Sequence, residues 1–240
     1  MLPYFYIPAF DKEQAEIILS EDNSRHIVQV LRMQPGETLQ LTDGKGALLT
    51  ALILEDHKKK CRVKIQANIA VSPNKKNVVI AISPLKNASR FEWFLEKATE
   101  IGVSEIIPLQ SERTGRQHLR HDRLHNILVS ALLQSQQTWL PVLHPLTPFS
   151  TVLDDTRYDR RLIAYCLEDA SPPSRAAGPS GLPHANPDTS SLILIGPEGD
   201  FSAEEVASAL KNGFIPVTLG ENRLRTETAG VVAATLLCIG

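Results

Sequence analysis

Two hydrophobic rhythms divide the chain. Over the first seventy residues, short segments of β character recur at Tyr4–Ile7, Glu37–Thr42, Ala47–Leu54 and Cys61–Ala67. Pro35-Gly36 and Asp43-Gly44 punctuate them, and one helical patch around His26–Leu31 interrupts the series. Short strands separated by turn chemistry make a small β-barrel the economical expectation, since closure protects strand edges. The polar, proline-broken stretch Val71–Asn77 places a boundary there, giving expected domains at 1–72 and 73–240.

Beyond it, strands and helices alternate, the pattern of a parallel α/β sheet. Val78–Ile82 reads as a strand. Ser89 with Glu92 forms a predicted capping box for a helix whose apolar face is Phe91, Phe94, Leu95, Ala98 and Ile101, ended by Gly102. Val103–Leu109 is the next strand, and Leu124, Ile127, Leu128, Ala131 and Leu132 mark a second amphipathic helix. Thr147-Pro148 has the signature of a short helix start. Leu162–Leu167 reads as a strand, and the proline-, glycine- and serine-rich segment 171–190 as a mobile loop.

The most informative stretch runs from Ser191 to Gly230. Leu192–Ile195 is an apolar run typical of a strand buried on both faces. Gly196-Pro197-Glu198-Gly199 turns the chain, and Ser202 with Glu205 caps a helix that Lys211 and Gly213 close. Phe214–Leu219 is a further strand, Gly220 opens a second turn, and Thr226 is placed to cap a last helix through Leu237. A right-handed crossover makes the two strands parallel and brings both turns to one sheet edge, where open α/β sheets bind ligands. An ordinary βαβ unit would show the same spacing. The charged residues Glu221, Arg223, Arg225 and Glu227 inside the second turn point toward a site. Pro197 directly after the first glycine removes a donor that a phosphate cradle needs, and neither a dinucleotide fingerprint nor a G-K-[ST] loop is present. Such turns suit a small, mostly uncharged cofactor gripped by backbone groups.

Composition sharpens the class. The 240 residues are 42% hydrophobic and 22% charged, as in a soluble globular protein without a spanning segment. The apolar start Met1–Phe10 lacks a basic region and reads as a strand rather than a signal peptide. Cys61, Cys166 and Cys238 are dispersed and odd in number, which predicts neither a disulfide framework nor a metal site, and a cytoplasmic location. The net charge of −2 conceals an uneven distribution: residues 71–125 carry 9 basic and 6 acidic side chains, residues 126–240 only 7 against 12. Lys58–Lys60 with Arg62 and Lys64, and the segment Arg113–Arg123, are the basic clusters, to be read as nucleic-acid contacts or as solvated faces.

The loops G-P-E-G-D-F-S (196–202) and L-G-E-N-R-L-R-T-E-T-A (219–229) resemble the signature loops of SPOUT-class RNA methyltransferases, and more narrowly the ribosomal RNA small subunit methyltransferase E family. The resemblance extends through R-H-I-V-Q-V-L-R-M-Q-P-G-E (25–37), D-G-K-G (43–46), the stretch 84–103, S-E-R-T (111–114) and Q-S (134–135). It implies a PUA-like RNA-binding barrel followed by a SPOUT-type parallel sheet with a C-terminal trefoil knot. It also implies a homodimer, with the small-sided face Ala229, Gly230, Ala233 and Ala234 at the meeting of the last helices. The implied activity is methylation of N3 of a uridine in 16S ribosomal RNA, within the small ribosomal subunit, from S-adenosyl-L-methionine. By motif match, Ile195, Gly196, Pro197, Gly199, Leu219, Gly220 and Leu224 would hold the cofactor, and Arg25, Arg32, Lys86, Arg90 and Arg113 would contact RNA. Arg225 would stabilise charge developing on the uracil, and Glu227 would orient Arg225 or cap the final helix. No general base is assigned. The chain departs from the common pattern at Gln136-Gln137 and at Asn222. The alternative function is an RNA-binding or ribosome-assembly protein with a degenerate cofactor pocket; a nicotinamide dehydrogenase is disfavoured by the missing fingerprint.

Overall fold

The computed structural model describes residues 2–11, 14–115, 119–165, 180–181 and 189–240. Cys166, most of the segment 171–190 and the centre of the Arg113–Arg123 cluster lie outside the described residues. The chain forms two compact units, Met1–Pro73 with Leu132–Leu140, and Asn74–Ala131 with Pro141–Gly240.

The first unit is built on β1 (Tyr4–Tyr6), β2 (Glu16–Ile18), β3 (Thr38–Thr42), β4 (Ala47–Glu55) and β5 (Arg62–Ala70), ordered β1-β3-β4-β5-β2. The β1–β3 pair is parallel and the others antiparallel. Along β4, buried and half-buried residues alternate, so Leu49, Ala51 and Ile53 face a core with Phe5, Ile27, Leu39, Leu41 and Val63. Register shifts between Thr50 and Ala51 and between Ile53 and Glu55 mark bulges, which add local twist. The ladder is an open path whose ends are β1 and β2. The helical patch begins earlier than the sequence suggests, as α1 (Glu21–Arg25) capped by Ser20, and continues as a π-helical turn, His26–Val30. Ser24 secures it: its buried hydroxyl donates to the Leu19 carbonyl and accepts from the Cys61 N–H at 2.9 Å.

Leu132–Leu140 joins this unit, although the sequence pattern assigns it to the second domain. Gly46 N donates to Thr138 O and Leu140 N to Gly44 O, both at 2.9 Å, while the Trp139 indole donates to Val71 O. Gly46 has φ +95°, and a Cβ there would lie 2.5 Å from the Trp139 ring, so only glycine permits the contact.

The second unit carries β6 (Val78–Ile82), α2 (Ala88–Ile101), β7 (Glu105–Gln110), α3 (His121–Gln134), β8 (Val142–Leu143), β9 (Thr147–Pro148), α4 (Phe149–Leu153), β10 (Arg160–Ala164), β11 (Ser180–Gly181), β12 (Ser191–Ile195), α5 (Ala203–Lys211), β13 (Ile215–Thr218) and α6 (Thr226–Cys238). The sheet runs β11-β13-β10-β12-β6-β7-β8, with β9 also on β7, and every pair is parallel. The central strands β6 and β12 are buried along their whole length, which explains their unbroken apolar runs.

Three expected caps are displaced. Asn87, not Ser89, caps α2, because the Glu92 carboxylate is held in a two-pronged bond by Arg123 (2.5 and 2.9 Å), which also holds its pKa below the usual carboxylate range. Thr147 donates to Pro145 O, so α4 starts behind Pro148. Thr226 lies inside α6, behind Arg225, and bonds elsewhere. The capping box of Ser202 and Glu205 forms as the sequence predicts. Burial pushes the Cys61 thiol up to about 11 and the Cys238 thiol to about 12, leaving both unreactive near neutrality. Among the described residues, no helix is long and apolar enough to cross a membrane, and no cluster of His, Cys, Asp and Glu could hold a metal ion.

The small face of α6 is occupied within its own unit. Gly230, Ala233 and Ala234 are buried, and a Cβ on Gly230 would lie 2.6 Å from the Phe94 ring of α2 and 2.8 Å from Ile82 Cδ1 of β6. Three of the four residues read from sequence as a surface for a second copy therefore serve intramolecular packing. We expect Gly230→Ala to lower stability by about 1–3 kcal/mol, the usual cost of overpacking, as a reduced urea midpoint. Phe94→Leu added to it should restore part of the loss.

Candidate active site

The site lies at the carboxyl edge of the second unit's sheet, at the ends of β10, β12 and β13. β12 and β13 are parallel, as their sequence implies, but β10 lies between them. The turns after β12 and β13 therefore stand apart, with the end of β10 as the floor. They enclose a cavity of about 350 Å³.

Each wall has a local cause. After Ile195, Gly196 follows in a tight place, since a Cβ would sit 3.2 Å from Phe201 and 3.3 Å from the Asp200 carboxylate and would press both back by a few tenths of an ångström. Asp200 N closes a turn onto Pro197 O at 2.9 Å, with Asp200 at φ +62°, a conformation that a short polar side chain tolerates. Phe201 then plunges into the core against Phe149, ring centres 5.4 Å apart. On the other wall, Thr218 Oγ1 donates to Gly220 O at 2.8 Å, and Gly220 takes φ +147°, which favours glycine. The chain then runs over Leu224 into Arg225, whose carbonyl accepts from Ala229 N in the first turn of α6. Thr226 ties the walls together, its buried hydroxyl donating to Gly196 O at 3.1 Å.

The structure brings Ile195, Gly196, Pro197, Leu219, Gly220, Leu224 and Arg225 to this one cavity, with Glu198 and Arg223. The Arg225 guanidinium is exposed and has no hydrogen bond or ion pair among the described residues, so its donors are available to a ligand. Two expected members do not line it. Gly199 faces outward, its carbonyl accepting from Arg113 Nη1 at 2.6 Å. Glu227 is buried, and its carboxylate turns to Arg90 (Nε–Oε1 3.7 Å) rather than to Arg225; its Oε2 has no hydrogen-bond partner among the described residues. Arg90, Arg113 and Lys86 belong to the same unit, and Lys86 is exposed without a partner among the described residues. Arg25 and Arg32 lie in the first unit: Arg25 pairs with Glu21 at 2.9 Å, while Arg32 is exposed, unpaired among the described residues and at φ +56°.

Sequence reasoning missed the Ala164–Tyr165 floor and the role of Thr226. It also missed a buried hydroxyl cluster in which Ser111 and Thr114 bond at 2.7 Å and Ser83 contacts both. The S-x-x-T spacing at 111–114 was its only signal.

A parallel α/β unit with paired loops at its carboxyl edge is a ligand-binding architecture shared by many enzymes, and the comparisons with known proteins give its class. Residues 72–238 match the family described as RNA methyltransferase domain, and residues 19–66 that described as RNA methyltransferase PUA domain. The chain belongs to the ribosomal RNA small subunit methyltransferase E family. Over 193 residues it is 31% identical to the protein of that name from Mesomycoplasma hyopneumoniae, covering 78% of this chain and 79% of the relative. A probable rRNA-methyltransferase from Porphyromonas gingivalis superposes with a TM-score of 0.87 at 43% identity, over 98% of this chain and 96% of the other. The Neisseria gonorrhoeae ribosomal RNA small subunit methyltransferase E, solved bound to S-adenosyl methionine, superposes at 0.83 with 28% identity, covering 98% and 96%.

Thr226→Val should leave the Gly196 carbonyl without its buried partner at a cost of about 1–3 kcal/mol. Thr226→Ser should keep the bond and most of the stability. Urea unfolding of the three proteins checks the expectation.

Proposed function

We propose that the protein transfers the methyl group of S-adenosyl-L-methionine to N3 of a uridine in 16S ribosomal RNA. The observation that carries this reading is the one cavity formed by both signature turns, with Arg225, unpartnered among the described residues, on its lining. Its size suits a small organic cofactor. Its lining mixes apolar side chains (Ile195, Val217, Leu219, Leu224) with exposed turn backbone, a donor set suited to a cofactor with an adenosyl group and little phosphate-like charge. When bound, the cofactor supplies an electrophilic methyl on sulfur.

The chain's own residues do the rest. The Gly196–Glu198 and Leu219–Leu224 turns would hold the reactants in line, and holding is a large part of the acceleration available to such a displacement. Arg225, permanently charged and with its backbone placed at the start of α6, would receive the negative charge that develops on a uracil carbonyl oxygen. Arg32 and Lys86, exposed and unpaired among the described residues, would contact phosphate. A degenerate pocket is the weaker reading, because the glycines and apolar residues of both turns still bound one cavity.

The family resemblance further supports a trefoil knot near the C-terminus, a homodimer and a cytoplasmic site of action. For the dimer, Leu236 and Ile239 on the exposed side of α6's end, 42% and 69% accessible, offer apolar surface.

Saturating S-adenosylmethionine at a hundred times its Kd should stabilise the protein by about 2.7 kcal/mol; no rise in melting temperature would contradict the assignment. Arg225→Ala should cut single-turnover methylation by on the order of 10²–10³ and leave cofactor affinity nearly unchanged. Turnover surviving within a few-fold would transfer the role to Arg223. Arg32→Ala and Lys86→Ala should each weaken binding to a 16S fragment and lower the log–log salt slope by about 1.

A further inference from the structure

Family resemblance casts Arg90 and Arg113 as RNA contacts, but both guanidinium groups already point at the turn that follows β12. We propose that Arg90 and Arg113 are positioning residues that brace the Gly196–Asp200 turn from two sides and hold the cavity wall in its binding shape. Arg113 Nη1 donates to the Gly199 carbonyl at 2.6 Å, a charge-assisted bond to the backbone at the apex of the turn. Arg90 places Nη1 3.5 Å from Glu198 Oε1 and Nε 3.7 Å from Glu227 Oε1. One cation thus links a residue of the cavity wall to the first turn of α6, the helix that carries Arg225.

The turn needs such braces. Pro197 contributes no N–H and Asp200 is held at positive φ. Asp200 N bonds Pro197 O, Phe201 N bonds the Asp200 carboxylate and Thr226 holds Gly196 O, while the apex at Glu198 and Gly199 is reached by the two arginines. Both arginines stand on fixed ground. Arg113 lies between Ser111 and Thr114, whose hydroxyls lock onto each other and onto Ser83, and the preceding Glu112 N–H donates at 2.8 Å to Glu205, the residue that completes the α5 capping box. Arg90 is in the first turn of α2. The Glu227 side chain is 9% exposed, with Oε2 unpartnered among the described residues, and Arg90 is the cation those residues place beside this buried carboxylate. Gly199 fits the same picture: a Cβ there would meet Arg113 Cδ at 3.6 Å, an ordinary contact outside the cavity.

The inference rests on the assignment of the cavity to S-adenosylmethionine, and the experiment separates the two. In the ligand-free full-length protein, hydrogen–deuterium exchange should quicken about tenfold in peptides spanning 196–202 on Arg90→Ala or Arg113→Ala, with β6 unchanged. If the binding-competent turn falls to about a tenth of the population, cofactor affinity falls about tenfold. For Arg113→Ala the cofactor KM should then rise while kcat and the KM for 16S RNA hold. Arg90→Ala, which also leaves Glu227 unpaired at the start of α6, should lower kcat as well, and for both the salt slope for RNA should stay at the wild-type value. Glu198→Gln, a surface change that leaves Arg90 on Glu227, should quicken the same peptides to a lesser degree, and Arg113→Lys should recover part of the loss. Unchanged exchange in 196–202, or a salt slope lowered by about 1 with cofactor affinity intact, would make these arginines phosphate contacts and overturn the proposal. Should the wild type bind no S-adenosylmethionine, the cavity assignment fails, and the exchange measurement alone decides the brace.

Discussion

The architecture of the site depends on how closely α6 lies on α2 and β6. Gly230 sets that distance, since any side chain there would enter the Phe94 ring and the Ile82 methyl. With the helix seated, its first turn delivers three groups in succession. Thr226 reaches the Gly196 carbonyl, Glu227 meets Arg90, and Arg225, one residue ahead, lies on the cavity lining, its guanidinium without a partner among the described residues. A steric constraint in the core thereby sets where the Arg225 backbone stands at the cavity. On the proposed reading the bound reactants would fix the exposed guanidinium, since a donor that must reorganise during reaction loses much of its value.

The two units answer to different physics. The first has an antiparallel ladder with one buried face, and its alternating pattern states this openly. The second is a parallel sheet whose central strands are buried on both faces, and the ligand site falls at the strand ends because side chains and turns there are released from packing. The overall charge of −2 says little about an RNA partner. The useful observation is narrower: of the basic residues that resemblance singles out, Arg32 and Lys86 have no partner among the described residues, whereas Arg25, Arg90 and Arg113 are engaged.

How much was legible in the sequence follows from the range of the interactions. The Ser202–Glu205 box was readable because cap and partner lie three residues apart. The α2 cap was misread because Glu92 is claimed by Arg123, thirty-one residues away. Thr226 was misread as a cap for the same reason, its hydroxyl being taken by Gly196 thirty residues earlier. Strand direction could be inferred from the crossover rule, but nothing local announces that β10 separates β12 from β13. Leu132–Leu140 follows α3 without a break in the sequence, and bonds to Tyr4, Gly44, Gly46 and Val71, all distant in sequence, draw it into the first unit. Both turns of the site were recognisable as motifs. Which of their residues face the cavity was not, and Gly199 shows why: a turn's side is decided by what holds it, here Arg113.

The central claim is that the two turns and Arg225 form a methyl-transfer site acting on uracil N3. Its most direct test incubates the purified full-length protein with unmodified 16S RNA, or the small subunit containing it, and isotopically labelled S-adenosylmethionine, then identifies the labelled nucleoside by mass spectrometry after complete digestion. The account predicts label in 3-methyluridine. Label in another nucleoside, or none from a protein that binds the cofactor, would contradict it.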